Sequence, residues 1–407
     1  MLVRILFLLL AACVSIATAQ PKITAPEAVL HDEVFGVVAS GLKSGSSYTL
    51  RWEFYSRSGK IWRSEVTYNA DANGEIRVED PIAALASMVD TKEKSTDASL
   101  FDNDDQSSVA VEVREGDKAV AQHLTVLRFR GVGISTVELR GPVTGTFLQP
   151  SGSGRRTTVI VLGGSEGGIP RSTAALIASH GFNALALEYF GYDGLPVDLE
   201  RIPVETVDRA VDWLLKQPGV DPKHFVVMGS SKGAELALLA ASHNKKISAV
   251  IANAPSSVVY EAISQSKEFY SSWTIGGKDV PFAPYVHSDK YTASRRLIDL
   301  YDPTYDKSPA TSRIPVENIA GPVLLISGKE DALWPSSRMA DEIARRLASA
   351  HFKYAIENLK LDDAGHHAGS YPLRPTADSV RLGGSATGIA KAQIDAWKAI
   401  VSFLKRL

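Results

Sequence analysis

The sequence contains a single cysteine, Cys13, among 407 residues. Once an export signal containing Cys13 is removed, disulfides, cysteine-ligated zinc sites and a cysteine nucleophile are all excluded. The chain also lacks an excess of either charge, because 44 Lys and Arg residues are balanced by 46 Asp and Glu residues. This balance gives no reason to expect nucleic acid or an anionic membrane surface as a partner. Beyond the N-terminus no segment is long and apolar enough to span a bilayer, so no integral membrane segment is expected.

The first 19 residues resemble a secretory signal. Arg4 provides a positive start, Ile5 to Val14 an apolar core, and Ala17-Thr18-Ala19 a small-residue cleavage site before Gln20. We therefore predict export, either to a bacterial periplasm or to the medium. The alternative is a lipoprotein, because Leu10-Ala11-Ala12-Cys13 also resembles a lipobox and would leave Cys13 as a lipidated N-terminus.

Residues 20–140 show short alternating strands separated by turn signals such as Ser58-Gly59 and Asp71 to Gly74. This spacing predicts an antiparallel β-sandwich. The polar, acidic stretch Asp90 to Ser107 is predicted to be a mobile loop. The predicted strands are Val34 to Ala39, Tyr48 to Tyr55, Ile61 to Tyr68, Ile76 to Val78, Val109 to Val113 and Leu124 to Phe129.

From Gly141-Pro142 onward, strands alternate with helices, which predicts a mostly parallel sheet with helices on both faces over residues 141–407. The predicted strands are Thr157 to Leu162, Ala184 to Leu187, Phe225 to Met228, Ile247 to Ala252, Val323 to Ser327 and Phe352 to Ile356. An insertion of about 255–315 is too long for a simple connection and rich in aromatic residues, including Trp273. We predict that it forms a cap over the substrate pocket, the alternative being a surface excursion with its own aromatic cluster.

The stretch Gly229-Ser230-Ser231-Lys232-Gly233 lies between a buried strand and a run of helix-forming residues. This arrangement is typical of a nucleophile elbow with Ser231 at its apex. The two glycines would allow the strand and the helix to approach closely.

A serine hydroxyl needs a neutral imidazole to accept its proton and a carboxylate to orient that imidazole. In this architecture the acid and the histidine follow the serine, each in a loop after a strand. Asp331 and His366 fit that order. Glu330 and His367 are their neighbours and competitors; we interpret Glu330 as a solvated loop charge and favour His366 over His367.

The backbone N–H of Lys232 and an N–H of the loop Gly163 to Gly168 are expected to form an oxyanion hole. Ser165 and Glu166 are the candidates for the second donor. Gly163 and Gly164 would let the backbone approach the substrate, and Trp273 is a candidate substrate contact from the cap. No cofactor is predicted, and the adjacent His366 and His367 lack the spacing of a metal site.

The chain resembles the acyl-CoA thioesterases and bile acid-CoA:amino acid N-acyltransferases. The residues that carry the resemblance are Glu188 to Pro196, Arg201 to Glu205, Gly229 to Ala237, Ile314 to Glu317, Trp334 to Ser336 and Ala364 to His366. The resemblance implies an α/β-hydrolase fold preceded by an immunoglobulin-like domain. It also places the family's nucleophile, acid and base on Ser231, Asp331 and His366. A serine nucleophile, rather than the transferases' cysteine, implies hydrolysis.

These observations predict a serine hydrolase of the acyl-CoA thioesterase type that acts on a small-molecule acyl thioester through an acyl-serine intermediate. Since an exported enzyme would meet little acyl-CoA, an exported carboxylesterase or acyltransferase acting on a non-CoA ester or amide remains an alternative. A second alternative is a secreted binding protein with an inactive hydrolase site. The sequence does not indicate the oligomeric state.

Overall fold

The computed structural model describes residues 20–97, 99–101 and 105–407. The predicted export signal and Cys13 fall in residues 1–19 and lie outside the described residues. No helix in the described ranges combines the length and apolar character needed to cross a membrane.

The N-terminal region is a β-rich domain in which some strands bury every second side chain. In one of them, Tyr48, Leu50, Trp52 and Phe54 alternate with less buried residues, as expected for a strand with one face on a core. The elements are β1 (Lys22–Thr24), β2 (Ala28–Leu30), β3 (Val37–Ser40), β4 (Ser47–Tyr55), β5 (Lys60–Asn69), β6 (Ile76–Val78), helix α1 (Ile82–Ala86), β7 (Val89–Lys94), β8 (Gln106–Glu115) and β9 (Lys118–Arg128).

Two sheets enclose the core of this domain. The described strands form one sheet in the order β2-β9-β8-β4-β5-β7 and a second in the order β1-β3-β6. Leu50 and Val111 of the larger sheet share a hydrophobic cluster with Val37 and Ile76 of the smaller one. The predicted β-sandwich is therefore confirmed.

The prediction of a loop from Asp90 to Ser107 is wrong at both ends. Val89–Lys94 form strand β7, which pairs antiparallel with β5, and β8 already begins at Gln106. Strand β7 lies at the sheet edge and leaves most of its side chains in contact with solvent. The polar composition of β7 therefore reflects its position at the edge of the sheet, and not an absence of strand pairing.

The C-terminal region is built on one large sheet, in the order β10-β11-β13-β12-β15-β16-β19-β20 for the described strands. Strand β11 pairs antiparallel with both of its neighbours, β10 and β13. The remaining pairs, from β13 across the sheet to β20, are parallel. Strand β10 precedes Gly141, so the large sheet begins before the change of sequence pattern. The elements of this region are β10 (Ile134–Leu139), β11 (Thr144–Pro150), β12 (Arg156–Leu162), α2 (Arg171–Ser179), β13 (Asn183–Glu188), β14 (Ile202–Pro203), α3 (Glu205–Leu214), β15 (Val220–Ser230), α4 (Lys232–His243), β16 (Ile247–Asn253), β17 (Trp273–Ile275), β18 (Lys278–Asp279), α5 (Asp289–Ser294), α6 (Ile298–Asp306), β19 (Val323–Gly328), α7 (Ser336–Ser349), β20 (Ile356–Leu361) and α8 (Ala386–Lys405).

Helices cover both faces of this sheet. Residues of α3, α4 and α7 belong to the hydrophobic cluster on one face, and residues of α2 and α8 to the cluster on the other. Burial on both faces explains why the central strands β12, β15 and β16 read as continuous apolar runs. The predicted α/β-hydrolase fold class is confirmed.

The last strand was predicted at Phe352 to Ile356 but is found at Ile356–Leu361. Residues from His351, which has a left-handed φ of 50°, to Ala355 connect α7 to this strand. Strand β20 is at the sheet edge and has a mixed polar and apolar sequence, so the apolar run before it was misleading. The carboxyl end of β20 therefore leads directly into the loop that carries His366.

The N-terminal domain packs against the segment that follows His366. Nδ1 of His31 lies 3.0 Å from the carbonyl oxygen of Pro372, and its ring stacks on Phe129 with centroids 4.3 Å apart. The ring of Tyr371 meets both rings edge-on. Burial lowers the pKa of His31 to about 4, so this contact is uncharged at neutral pH.

Candidate active site

Ser231 occupies a sharp turn between β15 and α4. Its backbone has φ 56° and ψ −123°, a conformation that non-glycine residues rarely adopt. A Cβ on Gly229 would lie 2.0 Å from the carbonyl oxygen of Gly233, and a Cβ on Gly233 would lie 2.1 Å from that of Gly163. Both positions therefore require glycine for the strand, the turn and the neighbouring loop to pack this closely.

Asp331 and His366 are in direct contact. Oδ2 of Asp331 lies 2.9 Å from Nδ1 of His366, and both side chains are nearly buried. Asp331 also accepts hydrogen bonds from the N–H of Leu333 at 2.9 Å and from the hydroxyl of Ser336 at 2.6 Å. These donors hold the carboxylate in one orientation, so it can fix the tautomer of the imidazole.

The other ring nitrogen of His366 is available. Nε2 is buried and has no hydrogen-bond partner among the described residues, so no hydrogen bond joins it to Ser231. His366 and Ser231 nevertheless line the same cavity, whose volume is about 670 Å³. With Nδ1–H directed at Asp331, the Nε2 lone pair is the free acceptor of the ring. Active-site hydrogen bonds are often long in unliganded structures and shorten when substrate binds.

Glu330 is an exposed loop residue, as we predicted, but its carboxylate is also hydrogen-bonded. Although exposed, its Oε2 accepts a hydrogen bond from the N–H of Ala364 at 2.9 Å, and its own N–H donates to the carbonyl oxygen of Ala364 at 3.0 Å. These two hydrogen bonds connect the loop that carries Asp331 to the loop that carries His366. Glu330 helps to hold the histidine loop.

His367 does not contact Asp331. Its Nδ1 lies 3.0 Å from the hydroxyl of Ser379. Burial, together with the nearby His366, Arg374 and Arg381, lowers the pKa of His367 to about 3. Between the two adjacent histidines, only His366 has the carboxylate partner that a general base requires.

Of the residues expected to form the oxyanion hole, Lys232 directly follows Ser231 in the chain but does not line the cavity, whereas the glycine loop does. Lys232 is in the first turn of α4, where the helix leaves N–H groups without intrahelical acceptors. Gly163, Ser165 and Glu166 line the cavity. Gly164 does not line it, and its N–H donates instead to Oε1 of Glu166 at 3.0 Å.

Contrary to the expected contact, Trp273 does not line the cavity that contains Ser231. The side chain is fully buried, and its Nε1–H donates to Oε1 of Glu235 at 2.6 Å. The same oxygen lies 2.7 Å from Nζ of Lys232, whose ammonium also lies over the ring of Trp273. Burial lowers the pKa of Lys232 and raises that of Glu235, and their mutual attraction opposes both shifts. Trp273 thus donates a hydrogen bond to the buried ion pair of Lys232 and Glu235, next to the elbow.

The aromatic residues of the predicted cap pack mostly among themselves. Tyr260 stacks on Trp334 at a centroid separation of 5.6 Å, and Tyr301 meets both rings edge-on. From this insertion, Leu297 is the residue found in the cavity lining of the described chain. Trp334 in turn meets the ring of His366 edge-on at 5.6 Å, so the aromatic cluster supports the histidine from behind.

The cavity is also lined by basic side chains that were not predicted from the sequence. Arg57, Arg171, Arg374 and Arg381 all line it, and Arg57 comes from the N-terminal domain. No sequence motif links Arg57 to Ser231, because only the packing of the two domains brings them together. Among the described residues, no group of three or more His, Cys, Asp or Glu side chains is arranged to hold a metal ion.

Glu188 ends strand β13 next to the glycine loop, and its carboxyl group is buried. Oε1 accepts hydrogen bonds from the N–H groups of Tyr189 and Phe190, whereas Oε2 has no partner among the described residues. Burial raises the pKa of Glu188 to about 7; the two N–H donors and Arg171 oppose this rise, and the charge of Glu166 adds to it. Glu188 is therefore half-protonated near neutral pH.

We expect Glu188→Gln to change how stability depends on pH. Because the folded-state pKa lies above the unfolded value, ionisation disfavours the folded state, and stability falls as pH rises from about 4.5 to about 7. The amide removes this loss, so the variant should be more stable than wild type at pH 8 by roughly 1 to 3 kcal/mol. Urea unfolding midpoints at pH 5 and pH 8 measure the difference. Glu115→Gln, at an exposed hairpin end, is the control; equal pH slopes in wild type and Glu188→Gln would contradict the assignment.

Comparison with known proteins identifies the family. Residues 202–407, half of the chain, match the profile described as BAAT / Acyl-CoA thioester hydrolase C terminal. The chain belongs to this family. Residues 32–140 match the profile described as Acyl-CoA thioester hydrolase/BAAT N-terminal region, so both characteristic parts of the acyl-CoA thioester hydrolase/BAAT family are present.

Two mouse relatives of the acyl-CoA thioester hydrolase/BAAT family span nearly the whole chain. Peroxisomal succinyl-coenzyme A thioesterase is 27% identical over 91% of this chain and 93% of its own length. Mitochondrial acyl-coenzyme A thioesterase 2 is 29% identical over 92% of this chain and 86% of its own length. A dienelactone hydrolase-like promiscuous phosphotriesterase from metagenomic libraries is matched over 68% of this chain and 99% of its own, at 16% identity and a TM-score of 0.44. The predicted family resemblance is confirmed, and the protein is a hydrolase.

Proposed function

We propose that the protein hydrolyses an acyl thioester of the acyl-CoA type through an acyl-Ser231 intermediate. The observation that carries the proposal is the free, buried Nε2 of His366, whose Nδ1 is bound to Asp331 and which shares a cavity with Ser231. The names of the relatives, which are coenzyme A thioesterases, support the thioester as the bond that is cleaved.

In the first half-reaction, Nε2 of His366 accepts the proton of the Ser231 hydroxyl as Oγ attacks the acyl carbonyl carbon. The N–H of Lys232 and an N–H of the glycine loop donate to the tetrahedral oxyanion. His366 then gives its proton to the departing thiolate, which leaves as the thiol, and the acyl group remains on Ser231. Asp331 stays ionised and stabilises the imidazolium that forms in between.

In the second half-reaction, water replaces the thiol. His366 accepts a proton from the water molecule as its oxygen attacks the acyl-enzyme carbonyl, and it returns that proton to Oγ of Ser231. The products are the carboxylic acid and the free enzyme.

A serine-directed fluorophosphonate probe tests the nucleophile directly. We expect the native protein to be labelled at Ser231, as mapped by mass spectrometry of the adduct peptide, because the activated hydroxyl attacks the phosphorus as it would a carbonyl. Heat-denatured protein is the control and should not be labelled. Absence of labelling in the folded protein would favour a binding protein with an inactive site.

A substrate panel measured alongside the probe distinguishes the enzymatic alternatives. We expect faster turnover of an acyl-CoA than of a p-nitrophenyl ester with the same acyl chain, and no amide product when an amine acceptor is added. A strong preference for the oxygen ester would instead identify a carboxylesterase, and amide formation would identify an acyltransferase.

A further inference from the structure

A second cavity lies next to the active-site cavity, at the contact between the two domains. Its volume is about 350 Å³, within the range that holds small ligands. One wall is the hairpin of β4 and β5, and the other is the segment from Tyr371 to Pro375 that follows His366. Arg57, Tyr371 and Arg374 line both cavities, so the second cavity adjoins the one that holds Ser231.

Within the described part of the chain, the charged side chains that line the second cavity are all positive. Arg57, Lys60 and Arg374 line it, whereas no carboxylate is found among the described lining residues. Guanidinium groups bind phosphate oxygens in pairs of parallel hydrogen bonds, and an ammonium adds a point charge. The cavity is thus suited to a phosphate-bearing group.

The two arginines are held in place by aromatic rings. Cζ of Arg374 lies 5.0 Å above the ring of Tyr371, and Cζ of Arg57 lies 5.6 Å above that of Phe129. Nη1 of Arg57 also donates to the hydroxyl of Ser172 at 2.6 Å. Side chains that are already ordered lose little freedom when a ligand binds.

Aromatic side chains complete the lining. Trp62 and Tyr371 are only partly buried and both contribute to the wall. The flat faces of such rings stack on nucleobases in sites of this composition. Phosphate-binding cations beside partly exposed aromatic rings are the features needed to recognise a phosphorylated nucleotide.

We propose that the second cavity binds the phosphorylated nucleotide of a coenzyme A leaving group while the thioester lies at Ser231. This inference rests on the proposed thioesterase function and specifies where its substrate extends. The N-terminal domain then contributes directly to substrate binding, through Arg57, Lys60 and Trp62.

The double variant Lys60→Gln/Trp62→Leu removes a charge and an aromatic ring that line the second cavity and not the cavity of Ser231. For an acyl-CoA, KM should rise by about ten- to a hundredfold with kcat within about twofold, because the lost contacts are remote from the reacting bond. For the same acyl group on N-acetylcysteamine, which lacks phosphate and nucleotide, both constants should stay at the wild-type values. Lys118→Gln, an exposed lysine of β9 outside both cavities, is the matched control and should behave as wild type.

Binding measurements separate this proposal from the proposed reaction. By calorimetry, adenosine 3′,5′-bisphosphate should bind the wild-type protein and bind the double variant at least about tenfold more weakly, whether or not any thioester is hydrolysed. 4′-Phosphopantetheine, which carries a phosphate and no nucleotide, should bind the wild-type protein at least about tenfold more weakly than the bisphosphate does. Tighter binding of phosphopantetheine than of the bisphosphate would overturn the nucleotide assignment.

Two kinetic results would also overturn the proposal: an unchanged KM for acyl-CoA in the double variant, or an equal loss for both thioesters. If the double variant does not fold, Lys60→Glu alone reverses one exposed charge and should raise KM for acyl-CoA only. Absence of hydrolysis of both thioesters by wild type would remove the proposed function, while the calorimetry would still decide whether the cavity binds the nucleotide.

Discussion

Replacing Ser231 by alanine is expected to lower thioester turnover by roughly 10⁴- to 10⁶-fold, with the folded structure retained. The reason is geometric: Ser231 is at the apex of the turn, in the same cavity as the free Nε2 of His366, and the removed hydroxyl has no substitute that could form the acyl-enzyme. Steady-state hydrolysis of an acyl-CoA measures the loss, and circular dichroism confirms the fold.

The matched control is Ser266→Ala, which removes the hydroxyl of an exposed loop serine outside the cavity. This variant should keep the wild-type rate. Retention of more than about a tenth of the activity in Ser231→Ala would show that Ser231 is not the nucleophile and would remove the proposed mechanism.

Asp331→Asn is expected to lower kcat by about 10⁴-fold, with a small effect on stability. Oδ1 of Asp331 accepts from the N–H of Leu333, so the amide oxygen of asparagine should remain there and its NH₂ should face Nδ1 of His366. Nδ1 would then have to act as an acceptor, which places the ring proton on Nε2. A protonated Nε2 cannot accept the proton of Ser231.

Asp362→Asn tests whether this loss is specific to the position. Asp362 is an exposed carboxylate of the same region and pairs with Lys329, outside the cavity lining. It should leave kcat within about twofold of wild type, because an exposed ion pair contributes little. A similar loss in both variants would show that Asp331 has no specific role in orienting His366.

Local sequence patterns were sufficient to locate the elbow and the central strands. The glycines around Ser231 and the apolar runs of β12, β15 and β16 report backbone geometry and two-sided burial, both of which are encoded in a few consecutive residues. The structure then brings Asp331 and His366 into contact across the ends of two neighbouring strands. Their catalytic roles, and the export predicted from residues 1–19, remain predictions.

Edge strands and long-range contacts were not predictable in this way. Strands β7 and β20 lie at the edges of their sheets among the described strands, and their polar sequences therefore resemble loops. Arg57 reaches the cavity only because its domain packs on the segment after His366. Trp273 was assigned to the cavity from composition alone, whereas its indole N–H is needed by a buried carboxylate that no motif reveals.

Because His31 contacts the carbonyl oxygen of Pro372, the C-terminal domain cannot be separated from the N-terminal domain without losing part of its own support. A truncated protein beginning near residue 134 would expose Tyr371 and free the chain immediately downstream of His366 from its outer support. Anyone grafting this catalytic unit onto another scaffold, or trimming it for expression, would therefore need to transfer the matching wall of the β-sandwich with it.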